Sequence, residues 1–494
     1  MTTASRTALL AGCGQVKQKL DDPSLAREPL ELMEDAARLA AQDAEAPNLL
    51  GALDAVWVLH GIWNYSNPGA LLAERLGANR VETGLAPISG TSAQHLICRA
   101  IEAIDSGTHD VVLIVGGEAE HSKRKTLRAG AVLRRTEQTG IAPDINFGGD
   151  ARMVTEEEIE VGLARPASVY SLFENALRSE RGVSLRQHRA DVATLCSRLS
   201  QVAADNPYGW DDAPLSPDEI GVDSESNRMI SYPYTKRMVS NMVVDQAAAI
   251  LVCSHDAARK HGVSPDRCVF PHVAVEVTNT PPLSNRDSYR RVPALGLAGN
   301  RALEMAGLSI GDVRHLDIYS CFPAAVQMGI RELDVPDNLV PSLTGGLNHG
   351  GGPFNSYVLH STATAMNRVR ENQGEPALVT SLGGWFTKLG FGVYSSEPAP
   401  NGYTYACLDE ETATLPSREL TRGIDAEATT ESYAINYFEG APHQVVCACL
   451  LDDGRRVWTT SEEPDLIAEF LREDRGEPCG RKVKVHANRQ FDLR

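Results

Sequence analysis

Apolar residues recur along the first 120 positions with the periods of both buried strands and amphipathic helices. The run VVLIVGG at 111–117 is continuously apolar, which is typical of a strand buried on both faces of a sheet. Residues 29–44 place their apolar side chains, among them Leu30 and Met33, on one helical stripe. The predicted elements follow one another as strand 7–14, helix 29–44, strand 54–61, helix 95–107 and strand 111–117. This alternation predicts a parallel sheet with right-handed crossovers.

The same order of elements returns in the second half of the chain. The pattern predicts strand 269–277, helix 294–307, strand 313–322, a Gly-rich loop 344–353, helix 354–371 and strand 377–384. The closing strand of each copy ends on a Gly pair, Gly116-Gly117 in the first and Gly383-Gly384 in the second. We therefore predict a duplicated α/β unit whose two sheets form a layered α-β-α-β-α block.

Two further regions lie outside this repeat. The segment between the copies is too long for a crossover, and it begins with a basic stretch, 121–135, that is typical of a loop. From about position 400 onward, apolar and polar residues alternate between Gly and Asp-Gly turns, which predicts a small antiparallel β-barrel. The predicted domains are an N-terminal half (1–118 with 246–268), an inserted loop domain (119–245), a C-terminal half (269–400) and the barrel (410–494).

Composition and charge narrow the classes of partner. The 494 residues carry a net charge of −18, from 65 acidic and 47 basic side chains, and such a surface repels nucleic acid. No apolar run approaches the ~20 residues that span a bilayer, and the N-terminus lacks the pattern of a signal peptide. We therefore expect a cytoplasmic protein with no membrane span. The 10 Cys show no zinc spacing, which predicts reduced thiols and no bound metal.

Four long stretches resemble the thiolase superfamily. They are SYPYTKRMVSNMVVDQAA (231–248), DIYSCFPAAVQ (317–327), TGGLNHGGGPFNSYVLHSTATAM (344–366) and GGWFTKLGFGVYSSEP (383–398). The resemblance covers roughly residues 1–400. With the β-rich tail, the chain looks most like the group called thiolase-like protein type 1. The resemblance implies the duplicated thiolase fold and an acyl-CoA thioester as substrate or ligand, with no cofactor beyond the coenzyme A of that substrate.

The family's nucleophile motif, Cys-x-Ser-Gly, falls on residues 90–93 of this chain. Gly90 stands where the resemblance places the nucleophilic cysteine, and Ser92 matches the serine of the motif. Ser89 and Thr91 flank the position of the missing cysteine, and no obvious base for an unactivated hydroxyl lies nearby in the sequence. Losing the nucleophile of a covalent mechanism costs on the order of 10⁶ in kcat. We therefore expect that this chain is not an ordinary thiolase.

The family's Gly-His-Pro motif falls on the Gly-rich loop. Pro353 matches the proline, so Gly352 occupies the position of the histidine. His349 lies three residues upstream and is either a catalytic group in the same pocket or an ordinary loop histidine. His360 follows in the next helix, where a packed, hydrogen-bonded histidine is the alternative to a catalytic role.

Two cysteine motifs of the family fall on strand ends of the second copy. The segment Tyr319–Phe322 resembles the His-Asp-Cys-Phe motif of sterol-carrier-type thiolases, and Cys321 keeps the position of the acid/base cysteine. A buried structural thiol is the alternative. The last motif, Cys-x-Gly, reads Ser381-Leu382-Gly383 here. The resemblance makes six residues candidates for binding the substrate or the CoA arm: Gly90, Gly352, Pro353, Ser381, Gly383 and Gly384.

Three functions remain open from the sequence. The first is non-covalent chemistry on an acyl-CoA, either forming or breaking a C–C bond or transferring the acyl group, with Cys321 or His349 as acid/base. The second is a catalytically inactive acyl-CoA-binding or scaffolding protein, with a protein partner at the C-terminal domain. The third is an acyltransferase that uses Ser92 or Ser89 as nucleophile. Thiolases generally dimerise through the core, and the added barrel would either block or extend that surface, so the chain is expected to be a monomer or a homodimer. The basic runs in 121–135 are either solvated charge or contacts to CoA phosphates.

Overall fold

The computed structural model describes residues 6–148, 153–280 and 282–494. The helices are α1 Pro29–Asp43, α2 Pro68–Leu76, α3 Ser92–Asp105, α4 Glu120–Arg128, α5 Glu156–Glu160, α6 Pro166–Arg181, α7 Leu185–Asp205, α8 Pro217–Gly221, α9 His255–His261, α10 Pro293–Ala306, α11 Pro323–Glu332, α12 Tyr357–Glu371, α13 Asp409–Thr412 and α14 Pro464–Leu471. The strands are β1 Ala8–Lys17, β2 Ala55–Leu59, β3 Glu82–Ala86, β4 Val111–Ala119, β5 Ile145–Asn146, β6 Met229–Tyr232, β7 Tyr234–Thr235, β8 Asp245–Ser254, β9 Phe270–Thr278, β10 His315–Asp317, β11 Ala377–Gly383, β12 Lys388–Ser395, β13 Thr404–Cys407, β14 Ala426–Phe438, β15 Ala441–Leu450, β16 Arg456–Ser461, β17 Lys482–Val485 and β18 Phe491–Leu493.

The strand order confirms the duplication. The first sheet runs β1-β8-β4-β2-β3-β5, and the second runs β10-β11-β12-β9-β13. Read from β9, the second sheet repeats the first as β9-β12-β11-β10, with the same antiparallel, antiparallel and parallel pairings in turn. The second copy has no described strand equivalent to β3.

The two sheets enclose a central helical layer. Helices α3 and α12 contact each other, and each contacts strands of both sheets, whereas α1 packs on the outer face of the first sheet and α10 on that of the second. The predicted mixed α/β architecture is therefore present. Its central strands are continuously buried, as the apolar runs required. None of the described helices is both long and apolar enough to cross a membrane.

Three local predictions need correction. The basic stretch predicted as a loop contains α4, because the carboxylate of Asp245 accepts hydrogen bonds from the backbone N–H (3.0 Å) and the hydroxyl of Ser122 and so fixes the first turn. The strand predicted at 313–322 is limited to β10, because the chain leaves the sheet to form the site described below. The predicted Gly-rich loop contains one π-helical turn, Gly346–Gly350, a feature common at functional sites.

The C-terminal region forms an antiparallel sheet in the order β16-β15-β14-β17-β18. No described ladder joins β16 to β18, so the sheet is open and the predicted closed barrel is not confirmed. Strand β6 of the middle segment pairs with β14 and ties the tail to the body. Arg456 is fully buried at this junction. It forms an ion pair with Glu431 at 2.7 Å and donates to the carbonyl oxygen of Ser284 at 2.7 Å.

Candidate functional site

Neighbouring atoms fill the space beside Gly90, the residue at which the sequence resemblance places the nucleophile. Gly90 lies just before α3, and a Cβ built there would lie 2.6 Å from the hydroxyl oxygen of Tyr319 and still closer to the carbonyl oxygen of Leu382. Contacts below 3.0 Å are essentially never seen for a real Cβ. The cavity between Tyr319 and Ser381 has a volume of about 10 Å³, which leaves room for a single water at most. A cysteine and an acyl group therefore do not fit at Gly90 in this structure.

The two serines beside Gly90 are engaged in local hydrogen bonds. The hydroxyl of Ser92 donates to the carbonyl oxygen of Pro87 at 2.7 Å, and the hydroxyl of Ser89 pairs with that of Thr91 at 2.8 Å. Both serines line a cavity of about 300 Å³ together with His95, whose Nδ1 lies 3.2 Å from the Glu276 carboxylate. His95 is a base that sequence reasoning missed. The signal was its spacing of three residues from Ser92, which puts the two side chains on one helix face.

Cys321 and Ser381, which the resemblance places at two motif positions of the second copy, are both buried. Burial raises the pKa of the Cys321 thiol to about 12, so the thiol stays protonated at neutral pH. The neighbouring hydroxyl of Tyr170 acts to lower the pKa of this thiol, and it donates to the carbonyl oxygen of Gly384 at 3.0 Å. The hydroxyl of Ser381 is buried and has no hydrogen-bond partner in the described part of the chain. Neither residue lines the large polar cavity described below.

The glycines predicted to admit the CoA arm are packed against side chains. A Cβ at Gly352 would lie 2.6 Å from the Ser240 hydroxyl, so no side chain fits at this position in this structure. A Cβ at Gly383 would collide with the Ser89 hydroxyl, and one at Gly384 with the sulfur of Met153. Pro353 holds the turn between Gly352 and the 3₁₀ turn that precedes α12, and its carbonyl oxygen accepts from the Ser356 hydroxyl at 2.8 Å.

His360 is a core histidine. Its Nδ1 lies 2.8 Å from Oε1 of Gln15 on β1, and Gln15 in turn donates to Thr364 at 3.3 Å. Burial lowers the pKa of His360 to about 3, so the imidazole is neutral at every physiological pH. His360 does not line the cavity that contains His349.

His349 has a different environment. It lies in the π-helical turn, and its Nδ1 is 2.8 Å from Oδ2 of Asp211. Its Nε2 is buried and has no hydrogen-bond partner among the described residues. Because a carboxylate only accepts, Nδ1 carries the proton and Nε2 keeps the lone pair when the imidazole is neutral. This arrangement is that of a general base oriented by a carboxylate.

Backbone hydrogen bonds join the loop of His349 to the segment of Asp211 and to a third segment of the chain. The N–H of Asp211 donates to the carbonyl oxygen of His349 at 3.0 Å, and that of Trp210 donates to Gly350 at 3.0 Å. On the other side of the loop, Asn241 donates through its backbone N–H to Leu347 at 2.8 Å. The segment 210–211, the loop 347–350 and the segment 240–241 therefore form one fixed unit, although they are far apart in the sequence.

Two amide side chains accompany His349. The side-chain oxygen of Asn241 accepts the N–H of Val243 at 3.1 Å, and that of Asn348 accepts the N–H of His349 at 3.1 Å. Because the amide oxygen of each side chain accepts a hydrogen bond, its NH₂ group points away from that donor. The NH₂ of Asn241 makes no hydrogen bond within the described chain, whereas Asn348 also reaches the thiol of Cys196. Both side chains line the cavity of His349.

The cavity has a volume of about 960 Å³ and a basic lining. Its carboxylates are Asp211 and Asp212. Its cationic side chains are Lys19, Arg124, Lys125, Arg128, Arg228, Lys236 and Arg237. A positive cleft on a chain of net charge −18 marks a site for an anionic ligand. The cavity thus brings His349 together with residues of the basic stretch 121–135, whereas Ser92, Cys321 and His360 are not among the residues that line it.

Comparison with known proteins supports the fold over the whole chain. No family model matches the sequence. The crystal structure of a monomeric SCP2-thiolase-like protein type 1 from Mycobacterium smegmatis has 31% sequence identity and a TM-score of 0.82, with 100% of both chains covered. A curated acetyl-CoA acetyltransferase from Methanothermobacter thermautotrophicus is 22% identical over 329 residues, which are 62% of this chain and 76% of that protein. A chain of the solved Ltp2-ChsH2(DUF35) aldolase is 19% identical with a TM-score of 0.57, covers 80% of this chain and 99% of its own, and shares the fold alone.

Proposed function

Because the chain belongs to the SCP2-thiolase-like proteins of type 1, within the thiolase superfamily, we propose that it acts on an acyl-CoA thioester without a covalent acyl-enzyme. The reaction is the forming or breaking of a C–C bond next to the thioester, with His349 as the acid/base. The observation that carries this proposal is the Asp211–His349 pair, with its free Nε2, in the basic cavity.

His349 supplies the proton transfer. A thioester carbonyl acidifies the hydrogens on its α carbon, and an imidazole Nε2 within hydrogen-bond reach removes one of them to give an enolate. Asp211 keeps the proton on Nδ1 and stabilises the imidazolium that forms. In the cleavage direction the imidazole takes the proton of the β-hydroxyl group, the C–C bond breaks to give a carbonyl product and the enolate, and the imidazolium returns that proton to the α carbon. The base also serves direct acyl transfer, because it takes the proton of an incoming thiol or hydroxyl and its imidazolium then gives that proton to the departing CoA thiolate.

Asn241 and Asn348 supply the stabilisation of negative charge. Hydrogen bonds fix the amide oxygens of both side chains, and the NH₂ group of Asn241 has no partner in the described chain, whereas Asn348 also reaches the Cys196 thiol. Donors fixed in this way stabilise an enolate oxygen more than the neutral carbonyl, because they need no reorganisation when the charge develops. The cations of the cavity, including Arg128, Arg228 and Lys236, provide charge for the CoA phosphates.

A non-covalent route agrees with the environment of the other motif positions. Gly90 and Gly352 are packed against Tyr319 and Ser240, and the thiol of Cys321 stays protonated at neutral pH. Aldol cleavage of an acyl-CoA passes through the same kind of enolate. The Ltp2 complex is named an aldolase, which supports this class of reaction for the fold.

The proposal is tested by exchange of the α hydrogens of butyryl-CoA in D₂O, measured by mass spectrometry. Enolate formation needs no second substrate, so the wild type should exchange them. His349→Gln should slow exchange about 10²–10⁴-fold, the range typical of a general base. His443→Gln, an exposed imidazole in the tail, is the matched control and should exchange at the wild-type rate. Equal rates for His349→Gln and the wild type would rule out this base.

A catalytically inactive acyl-CoA-binding or scaffolding protein is the second candidate. The observation in its favour is that Gly90 and Gly352 are both filled, so two groups of thiolase chemistry have no space. It predicts micromolar binding of an acyl-CoA in calorimetry with no exchange, both alone and with a protein partner bound at the C-terminal domain. The acyltransferase with Ser89 or Ser92 as nucleophile predicts a covalent acyl adduct in the intact mass.

A further inference from the structure

The cavity of His349 continues into a second basic depression. A cavity of about 610 Å³ adjoins it and shares Lys19 and Asp212 with it. The carboxylates of the combined surface, which we call the basic face, are Asp211 and Asp212. Its cations are Lys17, Lys19, Arg27, Arg124, Lys125, Arg128, Arg228, Lys236 and Arg237. Nine of the 47 basic side chains of an acidic chain thus line one continuous surface.

Much of this positive charge is not cancelled within the chain. Arg128, Arg228 and Lys236 form no ion pair or side-chain hydrogen bond in the described structure. Lys125 and Arg237 donate to the backbone carbonyl oxygens of Leu20 and Glu219, which satisfies donors without neutralising charge. Charged side chains kept together in this way repel one another. The electrostatic free energy of binding an anion is therefore more favourable here than at an ordinary cluster of ion pairs.

The lining favours one part of the CoA molecule over another. The residues that line the basic face include no Phe, Tyr or Trp within the described chain, so no such ring is available to stack on adenine. The phosphate and the thioester arm have partners in the cations and in His349. This acyl-phosphopantetheine arm is the part that CoA shares with carrier proteins.

Exposed apolar side chains lie beside the basic face. Leu25 is 69% exposed and Leu127 is 68% exposed. Leu25 ends the 3₁₀ turn Pro23–Leu25, Leu127 belongs to α4, and these two elements contact each other. Apolar residues next to a charged surface are typical of protein–protein interfaces, in which they form the desolvated centre.

We propose that the basic face binds an acidic carrier protein that presents the acyl group on a phosphopantetheine arm. The arm enters the cavity of His349, the acidic surface of the carrier pairs with the cations, and Leu25 and Leu127 contact its apolar residues. A concave surface favours this partner over a flat lipid bilayer, because most of its cations face into a cleft. The proposal rests on the proposed function, since the thioester must reach His349.

The test compares three thioesters of the same acyl group by fluorescence anisotropy or calorimetry. They are a butyrylated acyl carrier protein, butyryl-CoA and butyryl-N-acetylcysteamine. We expect the carrier to bind about tenfold more tightly than butyryl-CoA, and Arg128→Glu or Lys236→Glu to weaken carrier binding about fivefold or more. Lys260→Glu on α9, outside the basic face, is the matched control and should bind the carrier like the wild type.

Two outcomes would overturn the proposal. The first is carrier binding no tighter than that of butyryl-CoA, or unchanged by both charge reversals. The second is binding of the basic face to phosphatidylglycerol vesicles but not to the carrier. The proposed function fails separately, if neither butyryl-CoA nor the N-acetylcysteamine thioester exchanges its α hydrogens. A thermal unfolding midpoint equal to that of the wild type verifies that each charge-reversal variant keeps its fold.

Discussion

At His349 a single neighbour decides which ring nitrogen carries the proton. The carboxylate of Asp211 accepts from Nδ1 at 2.8 Å, and no other side chain of the described structure is bonded to the ring. Asp212, the next residue, pairs instead with Lys17 at 3.0 Å and Lys19 at 2.6 Å on the surface. Two adjacent carboxylates therefore have separate roles, one at the base and one among the cations of the rim.

Replacing Asp211 by Asn tests this role. An amide NH₂ donates to Nδ1, which moves the proton to Nε2 and removes the free base. We expect exchange of the α hydrogens of butyryl-CoA to fall about 10³–10⁴-fold, the cost of the wrong histidine tautomer in a comparable triad. Asp212→Asn is the matched control and should keep most of the exchange rate at saturating substrate. A mild effect of Asp211→Asn would mean that the carboxylate does not orient the base.

Gly90 gives a prediction on stability. Any Cβ at this position meets Tyr319 and Leu382, so Gly90→Ala and Gly90→Cys should destabilise the protein by similar amounts, about 1–3 kcal/mol. Gly51→Ala is the control, because a Cβ there has no atom within 4 Å. Urea unfolding measures the loss, and intact mass after incubation with acetyl-CoA should show no acyl adduct on Gly90→Cys. An acetylated Gly90→Cys would show that the nucleophile position can open.

At the scale of elements, the loop that bears His349 depends on one buried carboxylate. Asp317 at the end of β10 accepts from the backbone N–H of Leu343 at 2.8 Å and from the hydroxyls of Ser342 at 3.1 Å and Tyr357 at 3.0 Å. Burial raises its pKa from 3.8 to about 6 despite these donors. Burying the ionised carboxylate of Asp317 therefore costs free energy, and its hydrogen bonds fix the position of the loop.

This shift predicts how stability depends on pH. Because the folded pKa of Asp317 lies above the unfolded value, its contribution is fully present below pH ~4 and is lost as the pH rises through 6. Asp317→Asn cannot titrate. Relative to this variant, the wild type should lose about 2 kcal/mol between pH 4.5 and pH 7.5 in urea unfolding. A difference that does not change with pH would mean that Asp317 keeps an ordinary pKa in the folded protein.

The elements were more predictable than the site, and for a physical reason. Apolar periodicity is local, so helices such as α1 and strands such as β4 follow from short windows of sequence. The local sequence does not predict helix α4, because its first turn is fixed by Asp245, more than a hundred residues away. His349 was a candidate from the sequence, but its partner Asp211 is 138 residues away and gives no local signal. Tyr319 fills the space beside Gly90 only because the two sheets pack together, which is likewise not a local signal.

At the scale of the whole molecule, the basic cleft has the opposite sign to the net charge of the chain. The chain has a net charge of −18, yet one cleft contains seven cations and two carboxylates. Charges at a contact act over a few ångströms, whereas the acidic remainder of the surface acts over longer distances and is screened at ordinary salt, where the Debye length is about 8 Å. A CoA ligand therefore responds to the cleft and not to the net charge.

The net charge and the cations of the cleft predict opposite changes in the affinity for butyryl-CoA when salt is added. If net charge governed association, added salt would screen repulsion and strengthen the binding of butyryl-CoA. If the cations of the cleft contact the phosphates, binding should weaken about tenfold or more between 0.15 M and 1 M salt, because the Debye length falls from about 8 to about 3 Å. Butyryl-N-acetylcysteamine has no phosphate and should show almost no change. Affinity for butyryl-CoA that rises with salt would exclude the basic cleft as the phosphate site, since no local attraction would then outweigh the acidic surface.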